Sequence, residues 1–138
     1  MKKSEACCLK KASVGKAILM AFAAALVIQF FMFDFMIAEG CSMQPAVQPG
    51  TVLIVCRVFY GLKLPGAGNN VVSWQTPRPG DVVVFRTPAG DIAVKRFAKN
   101  LPDGTFMALG DNTPYSYDSR NYGPVPKDNI IGRVLGVR

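Results

Sequence analysis

Histidine is absent from this sequence of 138 residues. Its absence excludes Ser-His-Asp and Cys-His catalysis and removes the ligand on which many zinc sites depend, so no metal or other cofactor is expected. Acidic residues are also few, nine against sixteen lysines and arginines, which gives a formal charge of +7. A serine nucleophile in this chain would need another general base, and a desolvated lysine can take that role.

The positive charge is concentrated at the N-terminus. Five lysines and one glutamate precede residue 17, a net charge of +4 that leaves +3 for the remainder. Basic residues interleaved with aromatic ones, the usual pattern of a nucleic-acid surface, do not follow later in the sequence. The charge distribution therefore indicates orientation in a membrane, and no nucleic-acid partner is expected.

An apolar run extends from Ala17 to Ala38 and is interrupted only by Gln29 and Asp34. As a helix, 22 residues would be about 33 Å long, enough to cross a hydrocarbon core of about 30 Å. The lysine-rich flank would keep the N-terminus in the cytoplasm. We predict a basic cytoplasmic tail over residues 1–16, a transmembrane helix over 17–38 and an extracytoplasmic domain over 39–138.

Two cleaved segments would begin in a similar way. A secretory signal has a basic start and an apolar core, but here Asp34 and Glu39 lie where small neutral residues normally precede the cut. A lipoprotein signal ending at Cys41 would have the Glu39 charge inside its short box of small residues. Both alternatives are weaker than a retained membrane anchor.

Beyond Gly50 the apolar residues form short runs that are rich in branched side chains and separated by proline and glycine. This pattern predicts a mainly β fold, a small antiparallel β catalytic domain preceded by one N-terminal transmembrane helix. The predicted strands are 52–59, 71–74, 81–85, 92–97, 105–109 and 130–137, and 61–70 is predicted to be a surface loop.

Four cysteines are divided between the two sides of the proposed membrane. Cys7 and Cys8 fall on the cytoplasmic side, where thiols stay reduced, whereas Cys41 and Cys56 fall on the oxidising side. The latter two could form a disulfide only if the fold brings them together. We expect Cys56 to be a buried thiol in an apolar strand.

Ser42 and Lys95 are the candidate nucleophile and base. Ser42 begins a Ser-Met-x-Pro run just beyond the apolar segment, and Lys95 lies in a predicted strand. Strand alternation places Lys95 on the same face as Ala93 and Phe97, although an exposed strand lysine is the ordinary alternative. Burial would lower the lysine pKa from about 10.4, at which only about one side chain in 2,500 is neutral at pH 7.

A polar segment from Gly110 to Pro126, GDNTPYSYDSRNYGPVP, separates two predicted strands. Asp118 and Arg120 have a spacing that allows a local ion pair. By composition alone this is an ordinary loop of turn-forming residues.

Together these segments resemble bacterial type I signal peptidases and the related mitochondrial inner-membrane peptidases. The resemblance extends from Gly40 to Val134, and its motifs occur in the order found in that family. The matching segments are Ser42-Met43-Gln44-Pro45, Gly80–Phe85, Val94-Lys95-Arg96, and Gly110-Asp111-Asn112 followed by Ser116, Asp118, Ser119, Arg120, Gly123 and Val125-Pro126.

The resemblance implies a membrane-bound serine endopeptidase that removes signal peptides from exported preproteins. Its partners would be these preproteins and the lipid bilayer, with the catalytic domain on the outer face of the bacterial cytoplasmic membrane. Ser42 would attack the scissile carbonyl, Lys95 would be the general base, and Ser116 would orient the lysine. Asp118 and Arg120 would form a structural pair that supports the site.

The family also implies where the oxyanion and the substrate bind. The backbone amide of Ser42 would stabilise the oxyanion, and Gly40 lacks the hydroxyl that some members provide two residues before the nucleophile. Cleavage would follow small residues at the first and third positions before the bond. The predicted substrate pocket consists of Met43, Val47, Leu53 and Val94.

Three other functions remain open. One is a specialised Ser/Lys peptidase for a narrow substrate set such as pilins. Another is an inactive membrane-anchored β module, although Ser42, Lys95 and Ser116 are all present. A self-cleaving Ser/Lys repressor would need a DNA-binding region, whereas the N-terminal part of this chain is apolar.

Overall fold

The computed structural model describes residues 3–62, 72–73 and 75–137, with side chains described for 14–61 and 75–137. The chain divides into two compact units, Met1–Met32 and Phe33–Arg138. Apart from residues 61–62, the predicted loop at 61–70 lies outside the described residues.

The first unit contains one helix, α1, which extends from Lys3 to Met32. Its segment Val14–Met32 has 19 residues with a mean hydropathy of 2.0, and is long and apolar enough to cross a membrane. Large apolar side chains such as Leu19 and Phe30 are exposed. A helix that is apolar on all sides requires apolar surroundings.

The helix ends at Met32, whereas the sequence predicted helix as far as Ala38. Residues Phe33–Ile37 instead form strand β1, which pairs antiparallel with Val52–Cys56. Aromatic and branched side chains suit a strand as well as an apolar helix, and the available pairing partner decides between them. Asp34 faces Arg57, whose Nη2 donates to the carboxylate at 2.7 Å.

Within the described residues, nine strands follow α1 in chain order, with one α-helical turn and two short 3-10 turns between the later strands. The strands are β1 Phe33–Ile37, β2 Val52–Cys56, β3 Gly61–Leu62, β4 Val72–Ser73, β5 Val82–Arg86, β6 Ile92–Asn100, β7 Thr105–Leu109, β8 Val125–Pro126 and β9 Ile130–Leu135. The helix α2 is Ser119–Tyr122, and the 3-10 turns are Thr113–Tyr115 and Lys127–Asn129.

Seven strands form one antiparallel sheet in the order β1-β2-β9-β5-β6-β7-β8, and β3 pairs with β4. The predicted mainly β architecture with an N-terminal apolar helix is therefore confirmed. Strands β1, β3 and β8 were not predicted from the sequence. Strand β2 was predicted to extend to Phe59 but ends at Cys56. Two-residue strands carry too little pattern to be recognised from sequence.

The core lies on both faces of the central strand β5. Val82 and Val84 pack in one apolar cluster, whereas Val83 and Phe85 pack in the other. Alternate residues of a strand point to opposite faces, so four consecutive buried residues require cover on both sides. The first cluster also contains Met43 and joins the segment around Ser42 to the sheet.

One face of the sheet near its β1 edge remains apolar and exposed. Phe35 lies opposite Ile54, Ile37 lies opposite Val52, and Ile54 lies opposite Leu135 on the next strand. All five side chains are exposed. We call this group of residues the outer apolar face.

Candidate active site

The loop between β1 and β2 carries Ser42. A turn closes through hydrogen bonds from Gln44 N–H to Cys41 O at 3.2 Å and from Val47 N–H to Met43 O at 2.9 Å. Met43 and Val47 are buried in the first core cluster and anchor this turn to the sheet. Ser42 is thereby held at the surface of the core on a fixed backbone.

Lys95 reaches Ser42 from strand β6, 53 residues later in the chain. Its Nζ is hydrogen-bonded to Ser42 Oγ, and the residue is only 6% exposed. Burial lowers the pKa of Lys95 below its usual value; the Asp118 charge opposes this shift, and the Arg120 charge adds to it. A lysine with a lowered pKa is neutral more often, and a neutral amine can accept the hydroxyl proton of a serine.

A second group of polar side chains centres on Asp118, which is fully buried at the N-terminus of α2. Its carboxylate accepts hydrogen bonds from Ser116 Oγ at 2.6 Å, Gly110 N–H at 2.8 Å and Arg120 Nε at 2.9 Å. Burial by itself would raise the pKa of Asp118. The donors, first Arg120, then Gly110 and Ser116, nevertheless hold the pKa well below its usual range.

Gly110 joins the two groups. A Cβ atom at this position would lie 2.0 Å from Ser116 Oγ and 2.6 Å from the Ser42 carbonyl oxygen, so any larger residue would displace one of them. The Ser116 hydroxyl donates to Asp118, and no hydrogen bond joins Ser116 to Lys95 among the described residues. The lysine-orienting role of Ser116 stays a prediction.

Two further contacts at the site were not anticipated from the sequence. Arg96 binds Asp111 through Nε at 2.8 Å and Nη2 at 2.7 Å, which ties β6 to the loop after β7. Asn112 donates from its backbone N–H to Ser42 O at 2.9 Å and from Nδ2 to Cys41 O at 3.0 Å. The sequence signal for these residues is that each lies in a family motif, Arg96 directly after Lys95 and the other two directly after Gly110.

A largely apolar cavity of about 270 Å³ opens beside Ser42 and Lys95. Three of the predicted pocket residues, Met43, Val47 and Val94, line it. Leu53 does not; it is 2% exposed and packs in the core, where β2 pairs with β1. The rest of the lining is Met36, Ile37, Ala38, Glu39, Gly40, Ile92 and Ala93.

Cys41 and Cys56 are both free thiols, and Cys56 is buried in β2 as expected. Within the part of the chain that the structure describes, no group of three or more His, Cys, Asp or Glu side chains could hold a metal ion.

Comparison with known proteins identifies the family. The sequence model of "Signal peptidase, peptidase S26" matches residues 11–99 and 93–137. A probable signal peptidase I-2 of Synechocystis sp. is 28% identical, with 88% of this chain and 70% of that protein aligned. Signal peptidase I of Pseudomonas aeruginosa is 29% identical over 88% of this chain, which spans only 42% of that longer protein.

A eukaryotic relative is similar as well. Mitochondrial inner membrane protease subunit 1 of Schizosaccharomyces pombe is 29% identical over 78% of this chain and 74% of its own length. The resemblance seen in the motifs is thus confirmed, and the apolar helix α1 together with the bacterial relatives indicates a membrane-anchored protein. The chain belongs to the signal peptidase family, peptidase S26, and is a serine endopeptidase.

Proposed function

We propose that this protein is a membrane-bound peptidase that removes signal peptides from exported preproteins through a Ser42/Lys95 dyad. The observation that carries the proposal is the hydrogen bond between Lys95 Nζ, on a residue only 6% exposed, and Ser42 Oγ. Membership of the signal peptidase family supports the choice of substrate.

In the acylation step, neutral Lys95 takes the hydroxyl proton while Ser42 Oγ forms a bond to the scissile carbonyl carbon. The carbonyl oxygen becomes negatively charged in the tetrahedral intermediate. When the intermediate collapses, the carbon–nitrogen bond breaks and the Lys95 ammonium gives its proton to the leaving amine. The products of this step are the free mature chain and an ester of Ser42 with the signal peptide.

In the deacylation step, water replaces the leaving amine. Lys95 takes a proton from the water, whose oxygen attacks the ester carbon, and returns the proton to Ser42 Oγ as the ester bond breaks. General acid–base catalysis of this kind contributes a factor of about 10² to 10⁴. Burial of Lys95 is what makes the amine available at moderate pH.

Ser116, Asp118 and Arg120 act on the lysine without touching the substrate. The Ser116 hydroxyl donates a hydrogen bond to Asp118, so its oxygen can accept a hydrogen bond from the Lys95 ammonium as it forms. Arg120 neutralises the buried Asp118 carboxylate, which would otherwise favour the charged form of Lys95 more strongly. The Arg120 charge thereby helps to lower the pKa of Lys95, and Ser116 would hold the lysine in a fixed direction.

The cavity beside Ser42 fits the residues that precede the cut. Its lining is mostly apolar and includes the small residues Ala38 and Ala93, with the charged groups Glu39 and Lys95 at its polar parts. A volume of about 270 Å³ has room for more than one short side chain of an extended segment. We therefore assign to it the small residues at the first and third positions before the scissile bond.

Membrane attachment would raise the rate further. A preprotein whose signal helix lies in the same bilayer as α1 is confined near the enzyme, which increases its effective concentration. The outer apolar face supports this arrangement, because β1 follows α1 directly in the chain and carries Phe35 and Ile37. We place the N-terminus in the cytoplasm and the β domain on the outer side.

Cleavage of a preprotein with alanine at the first and third positions tests this function. We expect the full-length protein in phospholipid vesicles to cut after the first-position alanine, with the product masses measured by mass spectrometry. Phenylalanine at the first position should lower kcat/KM by about tenfold to a hundredfold, the range found when a pocket rejects an unsuitable side chain. Equal cleavage of both substrates, or cleavage elsewhere, would contradict the assignment of the cavity.

A further inference from the structure

We propose that Asn112 is a positioning residue that aims the backbone N–H of Ser42 at the oxyanion of the reaction. The proposal rests on the proposed acyl transfer to Ser42. Asn112 lies in the loop after β7, far along the chain from the nucleophile, and it is half-buried. It contacts the segment around Ser42 through two separate donors.

Both donors of Asn112 bind carbonyl groups of the nucleophile segment. The backbone N–H donates to Ser42 O at 2.9 Å, and Nδ2 donates to Cys41 O at 3.0 Å. Two consecutive peptide units are therefore held by one residue. A backbone contact survives any substitution except proline, whereas the contact to Cys41 depends on the asparagine amide.

The contact to Cys41 helps to fix the direction of the Ser42 N–H, because the Cys41 carbonyl accepts from Asn112 Nδ2 at 3.0 Å as well as from Gln44 N–H at 3.2 Å. The Cys41 carbonyl and the Ser42 N–H belong to the same peptide unit, which is planar and, in the trans form, directs the two groups to opposite sides. Nδ2 of Asn112 holds the oxygen on one side, so the N–H must point to the other. Among the described residues, no acceptor takes the Ser42 N–H, which leaves it available to a ligand.

This direction matters because acyl transfer places a negative charge on the former carbonyl oxygen. One backbone or side-chain donor to such an oxygen is typically worth about 10² to 10³ in rate. Gly40 has no side chain that could provide a donor near the nucleophile, so the backbone of Ser42 carries more of this task. If the Cys41–Ser42 peptide unit rotated away from this orientation, the Ser42 N–H would stabilise the oxyanion less.

The inference is tested with the full-length protein and a neutral variant, Asn112→Ala. Because Asn112→Ala leaves the backbone donor in place, we expect kcat to fall about 10- to 30-fold, less than the loss of a whole donor, and KM to stay within about twofold. The midpoint of the pH–rate profile should be unchanged, because Lys95 keeps its surroundings. Asn112→Asp, which has the same shape but no Nδ2 donor, should also lose kcat.

Asn129→Ala is the matched control. Its Nδ2 likewise donates to a backbone carbonyl, that of Arg86 at 3.0 Å, and it is half-buried like Asn112, but neither Asn129 nor Arg86 lines the cavity beside Ser42. We expect this variant to cleave at the wild-type rate. Thermal unfolding of all variants identifies any that lose activity because they no longer fold.

A peptide aldehyde separates oxyanion binding from substrate binding. Ser42 Oγ gives its proton to Lys95 and adds to the aldehyde carbon, and the π electron pair moves to the aldehyde oxygen, which occupies the position of the oxyanion. In Asn112→Ala, affinity for the aldehyde should fall by the same factor as kcat, while affinity for the corresponding amide stays constant. The proposal would be overturned if Asn112→Ala kept the wild-type kcat or lost affinity for the aldehyde and the amide equally. It would also be overturned if a shifted midpoint of the pH–rate profile accounted for the lower rate.

Ser42→Ala, measured alongside, distinguishes a failure of the proposed function from a failure of the Asn112 proposal alone. If Ser42→Ala still cleaves, or if the wild type does not, the proposed function fails and this inference fails with it. If Ser42→Ala is inactive and Asn112→Ala cleaves like the wild type, only the inference about Asn112 fails.

Discussion

Replacement of Lys95 by methionine should lower kcat by about a thousandfold or more while the protein remains folded, within the range that general bases contribute. Methionine has a similar length and no charge, so it can occupy the same buried position next to Ser42. Ser42 would then have no group to take its proton. Lys95→Arg should fail as well, because a guanidinium stays protonated and cannot act as a base.

Lys99→Met is the matched control, since Lys99 is an exposed lysine of the same strand. We expect it to cleave like the wild type. Ser42→Ala should lose as much activity as Lys95→Met, and the double variant should lose no more, because residues that act as one unit are not additive. More than about a tenth of the wild-type kcat in Lys95→Met would rule out its role as the base.

Replacement of Asp118 by alanine should lower the free energy of unfolding by about 1–3 kcal/mol, the usual cost of leaving a buried donor without its acceptor. The variant leaves Gly110 N–H and Ser116 Oγ without their acceptor and removes the partner of Arg120. Chemical denaturation of the full-length protein in detergent micelles measures the change. Asp91→Ala, at an exposed position, should change the unfolding free energy by less than about 0.5 kcal/mol.

The Asp118 carboxylate should make the free energy of unfolding depend on pH in the acid range. The pKa of Asp118 is lower in the folded protein than in the unfolded chain, so its stabilising contribution is complete above the unfolded value of about 3.9. It is lost as the pH falls below that value towards the folded pKa. Asp118→Ala should therefore flatten the fall in unfolding free energy below about pH 4; an equally steep fall would show that other groups cause it.

The sequence predicted the residues of the candidate site better than it predicted the contacts between them. The local spacing of Asp118 and Arg120 predicted an ion pair, and that pair is present. The contact of Lys95 with Ser42 follows the family motifs, and alternation in the strand gave the lysine apolar neighbours. Local pattern is sufficient where the partners are near in sequence or belong to a known motif.

Long-range contacts could not be predicted in the same way. The Asn112 side chain meets Cys41 across 71 residues, and nothing in the composition of either segment selects that pairing. Strand β1 was assigned to the membrane helix because its apolar residues continue the preceding run without a break. Leu53 was assigned to the pocket, but it is 2% exposed in the core and is not among the residues that line the cavity.

The pH dependence of kcat/KM for the full-length protein in vesicles tests the Ser42/Lys95 dyad most directly. The buried lysine must lose its proton before it can act, so the rate should rise with pH through a midpoint below the free lysine value of about 10.4. The residual activity of Lys95→Met should lack this rise. A midpoint at the free lysine value, or a profile that Lys95→Met leaves unchanged, would contradict the account.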